Sequence, residues 1–136
     1  MFADIRGFTT ISEALQSEPE KLVQIINEIL TPLSDIVITH GGTIDKYMGD
    51  CIMAFWNAPL DYPEHALHAV EAGHAMVEAM PGINQALGDR LPGGAEVRIG
   101  VGVNTGGCVV GNMGSTQRFD YSVLGGAVNA RRGWRA

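Results

Sequence analysis

Cysteine is nearly missing from this chain, with Cys51 and Cys108 its two thiols. Each lies inside an apolar run. They make no disulfide framework and read as small packed side chains in a reducing compartment. No stretch of about eighteen consecutive apolar residues occurs, and no basic segment precedes an apolar one at the N-terminus, so neither a membrane span nor a signal peptide is visible. Basic residues are also scarce: nine Lys and Arg stand against fifteen Asp and Glu, for a net charge of −6. A nucleic acid or an anionic membrane would meet an unfavourable mean field, and neither is expected as a partner. An acidic domain can still take a polyphosphate when divalent cations and a few placed basic groups neutralise it locally. The Gly-Lys-Ser/Thr of a Walker A loop is absent, and no serine stands in a nucleophile elbow, which removes P-loop binding and acyl transfer.

What is present is ordinary globular material. The 136 residues, 46% hydrophobic and 18% charged, suffice for one domain that buries roughly two-thirds of its unfolded surface. Met1 to Asp4 reads as the end of a strand cut short, followed by a turn at Gly7 into a helix through Leu15. Ser17-Glu18-Pro19-Glu20 has the form of a capping box with Ser17 at the N-cap. Leu22, Ile25, Ile26, Ile29, Leu33, Ile36 and Val37 then recur at three- and four-residue steps, the stripe of a helix that Pro32 bends and His40-Gly41-Gly42 ends.

Thr43 to Tyr47 and Cys51 to Trp56 read as a hairpin with Asp50 at its tip. A second helix is expected from about Asp61 to Met80, with Ala66, Leu67, Val70, Gly73, Met76 and Val77 as its packing face. A loop from Pro81 to Gly94 follows, around a short helical turn at 83–87. Val97 to Val103 and Cys108 to Val110 read as a second hairpin turning at Asn104-Thr105-Gly106-Gly107. Phe119 to Leu124 forms one more strand before a short helix from Ala127. This order predicts an α+β sandwich, a mainly antiparallel sheet covered by helices.

Two acids stand where a lone carboxylate needs a cation or solvent: Asp4 at a strand end and Asp50 at a hairpin tip. Brought together they suit Mg²⁺, which takes one or two protein carboxylates plus water and phosphate oxygens. The same positions also suit aspartates that cap turn amides. The turn from Ile5 to Thr9 offers consecutive amides at a helix start, an arrangement that binds phosphate. Gly106-Gly107 and the glycines from Gly111 to Gly114 read as turn glycines, and His65, His68 and His74 as boundary or surface histidines of one helix.

Five blocks occur in order: Phe2-Ala3-Asp4-Ile5-Arg6-Gly7-Phe8-Thr9; Gly41-Gly42-Thr43-Ile44-Asp45-Lys46-Tyr47-Met48-Gly49-Asp50; Arg98-Ile99-Gly100-Val101-Gly102-Val103-Asn104-Thr105-Gly106; Gly111-Asn112-Met113-Gly114-Ser115; and Asp120-Tyr121-Ser122-Val123-Leu124-Gly125. From residue 2 to about residue 129 they closely resemble the catalytic domain of class III adenylate/guanylate cyclases. The resemblance implies a ferredoxin-like βαββαβ sandwich that works as a head-to-tail homodimer, or beside another cyclase domain, with each active site shared by two chains. It implies that Asp4 and Asp50 hold two Mg²⁺ or Mn²⁺ ions, with the Ile5 carbonyl as a further ligand. The Gly7, Phe8 and Thr9 amides and Arg98 would meet the phosphates. From the partner copy, Lys46 and Ser122 would read the purine and Asn129 the ribose.

Lys46 donates to an acceptor such as adenine N1, and Ser122 can accept from the 6-amino group, whereas guanine presents a donor at N1. The pair therefore resembles the Lys with Ser/Thr adenylate cyclase subgroup, and ATP is the expected substrate in a cytoplasmic setting. Two positions and the tail depart from the family pattern. Gly126 stands where an acid is usual. Gly133 stands where the transition-state arginine is usual, four residues after Asn129, leaving Arg132 as the substitute. The tail from Arg131 to Ala136 is unlike the family helix, and the last strands are expected to be missing. A cyclase-homology module that dimerises or binds nucleotide without turnover is the alternative.

Overall fold

The computed structural model describes residues 1–132, with side chains through residue 129. The first strand, β1 (Phe2–Arg6), runs two residues beyond the expected Asp4. It alternates cleanly, with Ala3 and Ile5 buried while Asp4 is half-buried and Arg6 exposed. After it come α1 (Phe8–Ala14), α2 (Pro19–Thr39), β2 (Thr43–Met48), β3 (Cys51–Phe55), α3 (His65–Leu87), β4 (Arg98–Gly102), β5 (Val109–Gly114), β6 (Phe119–Leu124) and α4 (Gly126–Arg132). The main sheet has the order β2-β3-β1-β4, and every neighbouring pair is antiparallel. β1, α2 and β2 form a crossover with β3 inserted between the two strands, the split βαβ arrangement of the expected ferredoxin-like sandwich.

One face of the sheet, through Ala3, Ile5, Ile52 and Ala54, packs against α2 and α3. Ile29, Leu33 and Val37 of α2 and Ala72, Met76 and Leu87 of α3 are almost wholly buried there. By length and composition α2 could cross a membrane, contrary to the expectation that no segment would. In this fold Ile25, Ile29, Leu33 and Val37 lie in the core instead. On the other face Phe2, Met53 and Phe55 meet Val110, Tyr121, Val123 and Val128, with the Phe55 and Tyr121 rings 5.8 Å apart.

The expected capping box does not form. Glu18 is the N-cap and Pro19 the first helical residue, a place where its fixed φ fits and its missing N–H costs nothing. The end of α2 is tightly specified: Gly41 has φ 81°, its N–H donates to the Ile38 carbonyl at 3.0 Å, and the Gly42 N–H donates to the Val37 carbonyl at 2.9 Å. These are the two bonds of a Schellman motif.

The Pro81–Gly94 loop is also corrected, because α3 continues through Pro81 to Leu87. A proline removes one helical bond, while Ile83 and Leu87 extend the buried stripe of Ala69, Ala72, Gly73, Met76 and Met80, and burial outweighs that loss. Of the expected packing face Gly73 and Met76 are buried, but the rest is rotated outward: Leu67, Val70 and Val77 are 54%, 58% and 51% exposed. The second hairpin is not formed either. β4 pairs with β1, and β5 pairs with β6 as a separate ribbon, from Val109 opposite Leu124 to Gly114 opposite Phe119. Leaving the sheet edge lets Val110, Tyr121 and Val123 cover Met53 and Phe55. Of the two cysteines only Cys51 is packed; Cys108 is exposed in the segment before β5.

Candidate active site

Strand register brings the two acids to one place. Asp4 stands opposite Cys51, and the Ile5 N–H donates to the Asp50 carbonyl at 2.9 Å. Asp50 follows Gly49, whose φ of 60° makes the β2–β3 turn tight. In a strand the N–H and C=O of one residue project to the same edge, so the Ile5 carbonyl is directed to the side on which Asp50 sits. The buried side chain of Ile5 belongs to the core, which leaves the backbone as its contribution.

On the other side of β1, Asp4 pairs with Gly100 and Arg6 with Arg98. A Cβ built at Gly100 would lie 2.7 Å from Arg6 Nη2, so the guanidinium lies over the glycine beside Asp4. Two basic side chains, Arg6 and Arg98, thus stand directly opposite one another on neighbouring strands. Arg6 escaped the sequence reading; its signal was an exposed cation two residues from Asp4 on the same strand face. Gly7 has φ 77° and forms the N-cap of α1 without a side-chain cap, so the first amides of the helix have no side-chain acceptor from the cap residue.

A second group forms between β2 and β6. The Ser122 hydroxyl donates to Asp45 Oδ2 at 2.6 Å, and Lys46 Nζ lies 3.7 Å from Asp45 Oδ1. The structure thus brings Lys46 and Ser122 together through Asp45, whose side chain is fully buried. A β-bulge produces this placement: Ile44 pairs with Ala54 and Lys46 with Met53, leaving Asp45 as the extra residue. Tyr47 then points to the helical face, its hydroxyl 2.8 Å from Ser34 Oγ. Asp45 also escaped the sequence reading, although an acid next to a lysine inside a β-rich run was visible.

Asn129 is exposed on α4, its N–H donating to the Gly125 carbonyl at 3.2 Å. The side chain of Asn104 fixes the same helix by donating to the Ala127 carbonyl at 3.1 Å. The Arg132 side chain lies outside the described residues, as does the tail from Gly133. The three helix histidines do not gather: His68 bonds the Tyr62 hydroxyl, His74 lies 3.0 Å from Glu78, and His65 borders a cavity. Among the described residues no three His, Cys, Asp or Glu side chains converge on one point. That cavity, about 350 Å³ between the sheet and the ribbon, is lined by none of Asp4, Asp50, Lys46, Ser122 or Asn129.

Comparison with known proteins agrees with this architecture. The family model described as the adenylate and guanylate cyclase catalytic domain matches residues 1–132. Adenylate cyclase 1 of Rhizobium meliloti (strain 1021) is 40% identical over 129 residues, covering 95% of this chain and 19% of the relative. The adenylate cyclase of Anabaena cylindrica is 35% identical over 131 residues, again 95% of this chain but 25% of the relative. Among solved structures, the guanylyl cyclase Cya2 superposes with a TM-score of 0.88 at 40% identity, covering 97% of this chain and 65% of that one. The adenylyl cyclase CyaB from P. aeruginosa does so with 0.83 at 41% identity, covering 95% and 65%. The chain therefore spans a fifth to a quarter of the curated relatives and about two-thirds of the crystallised domains. With a family model matching almost its whole length, the chain belongs to the adenylate and guanylate cyclase catalytic domain family.

Proposed function

We propose that this domain converts ATP to 3′,5′-cyclic AMP and pyrophosphate at a site assembled from two copies of the chain. The observation that carries the reading is the convergence of Lys46 and Ser122 on one buried carboxylate. Overall likeness does not choose the base, since identity to a guanylyl cyclase and to an adenylyl cyclase is nearly equal. The choice rests on chemistry: an ammonium donor suits adenine N1, and a hydroxyl acceptor suits the 6-amino group.

Catalytic domains of this family use divalent metal ions, and the hard oxygen donors of Asp4, Asp50 and the Ile5 carbonyl fit Mg²⁺ or Mn²⁺. Such ions would supply charge neutralisation at the phosphates and a lowered pKa for the attacking hydroxyl. The chain's own groups do the rest. Arg6, Arg98 and the Gly7, Phe8 and Thr9 amides hold the triphosphate, while Lys46 and Ser122 fix the base. Asn129 orients the ribose so that its 3′ oxygen faces the α-phosphorus. That oxygen bonds to phosphorus, its proton passes to solvent water, and the bond to pyrophosphate breaks; Arg132 is the candidate for charge that develops there.

Two features support a second copy. Val109, Phe119 and Leu124 on the β5–β6 ribbon are 69%, 60% and 61% exposed, an apolar surface of the kind that pairing covers. Each copy also carries both the acids and the base readers, with Asp4 on β1 and Lys46 on β2 separated by β3 in the sheet. The proposed setting is the cytoplasm, where ATP is supplied. Gly126 and Gly133, at positions where the family carries an acid and an arginine, favour a second reading in which the domain binds nucleotide without turnover.

Purified protein incubated with Mn²⁺ and ATP or GTP, with Asp4→Ala as control, distinguishes these readings by mass spectrometry. Cyclic AMP from ATP, lost in the control, is the expected result. Metal-dependent ATP binding with no cyclic product establishes the second reading and overturns the first.

A further inference from the structure

A serine hydroxyl carries one proton and two lone pairs, so by itself it cannot tell a 6-amino purine from a 6-oxo purine. It can accept from the one and donate to the other. Ser122 is not free to do both. It is 5% exposed, and its proton is directed at Asp45 Oδ2 at 2.6 Å, the short distance of a bond to a charged acceptor. An ionised carboxylate only accepts, so the remaining face of Ser122 Oγ presents lone pairs alone.

The second oxygen of the same carboxylate, Oδ1, is buried without a hydrogen bond and lies 3.7 Å from the Lys46 ammonium. One side chain thus sets an acceptor at Ser122 and holds a donor at Lys46. That is the complement of adenine, which offers an acceptor at N1 and a donor at the 6-position, and the opposite of guanine and hypoxanthine. Regular strand alternation would send Asp45 and Lys46 to opposite faces. The bulge between Ile44 and Lys46 brings both to the side of β6.

We propose that Asp45 is the positioning residue that fixes the hydrogen-bond direction of Ser122 and the place of Lys46, and so makes the site select 6-amino over 6-oxo purines. This inference rests on the proposed function and assigns its base selectivity to a residue that need not touch the nucleotide. In Asp45→Asn the amide can turn its NH₂ to Ser122, which then accepts from it and points its own proton at the base.

The test is calorimetric binding of the 3′-deoxy triphosphates of adenosine, guanosine and inosine with Mn²⁺, none of which can cyclise. The wild type is expected to bind the inosine compound as weakly as the guanosine one, because both carry the 6-oxo group; binding close to the adenosine compound overturns the proposal without any variant. Asp45→Asn is expected to lower the adenosine-to-guanosine affinity ratio at least tenfold with circular dichroism unchanged. In a Ser122→Ala background it should change that ratio no further. A ratio that falls in Ser122→Ala but holds in folded Asp45→Asn overturns the role of Asp45. Adenosine affinity unaffected by both Lys46→Ala and Ser122→Ala shows instead that the base is not read here, which overturns the underlying site reading.

Discussion

Gly42→Ala should destabilise this domain, and Gly82→Ala should stabilise it, although both add one methyl group. At Gly42 a Cβ would lie 2.7 Å from Trp56 Cζ2, 2.8 Å from Trp56 Cε2 and 2.8 Å from Val37 Cγ1. Neither neighbour can yield. The indole is held by its Nε1–H donating to the His40 carbonyl at 2.9 Å, and Val37 is wholly buried. Overpacking of this kind costs about 1–3 kcal/mol, which for a chain of this size lowers Tm by about 4–12 °C. Gly82 lies within α3, where nothing stands within 4 Å of its Cβ. Replacing an interior helical glycine by alanine gains about 0.5–1 kcal/mol. Urea unfolding of the two variants beside the wild type reads both signs. A neutral or stabilising Gly42→Ala would show that the α2 to β2 junction is loosely packed, and a destabilising Gly82→Ala would refute the continuation of α3 past Pro81.

Two further outcomes follow from charge. Lys46→Glu replaces the proposed donor to the base by an acceptor and sets two carboxylates side by side at residues 45 and 46. A lost charged hydrogen bond of about 1.5–3 kcal/mol lowers kcat/KM for ATP by about 10- to 100-fold; steady-state kinetics that leave the constant unchanged contradict the role of Lys46. Glu28 hydrogen-bonds the Arg90 guanidinium, which holds its carboxyl below the ordinary value of 4.5. A depressed folded pKa stabilises above the unfolded value and is lost as pH falls through the folded one. Glu28→Gln should therefore lower Tm slightly at neutral pH and low salt, with the difference closing below pH 4.5; a difference that grows on acidification reverses the sign of this argument.

The elements were legible in the sequence where local chemistry decided them. The α2 stripe, Gly41 with its left-handed φ, and the acids at Asp4 and Asp50 all follow from spacing and turn chemistry within a few residues. Tertiary choices were not legible. Whether β5 continues the sheet or pairs with β6 depends on the apolar cover that Met53 and Phe55 need from a distant segment. The α3 face was read correctly at Gly73 and Met76 but otherwise rotated, because Ala69 and Ala72, which close packing prefers, weigh little beside Leu67, Val70 and Val77 in a hydrophobic pattern. Asp45 was hidden for a related reason: a bulge breaks the period of two on which strand reading depends, and its partner Ser122 lies 77 residues away.

The proposed site combines Asp4 and Asp50 of one copy with Lys46 and Ser122 of another, and mixing two inactive variants tests that claim most directly. Asp4→Ala and Lys46→Ala are each expected to form no cyclic AMP alone. After unfolding and joint refolding in equal amounts, about half of the dimers are mixed and one of their two sites is intact, so about a quarter of wild-type turnover should return. No recovery in mixed dimers, with wild-type turnover restored by the same refolding, would place all four residues in a site within one chain and contradict the account.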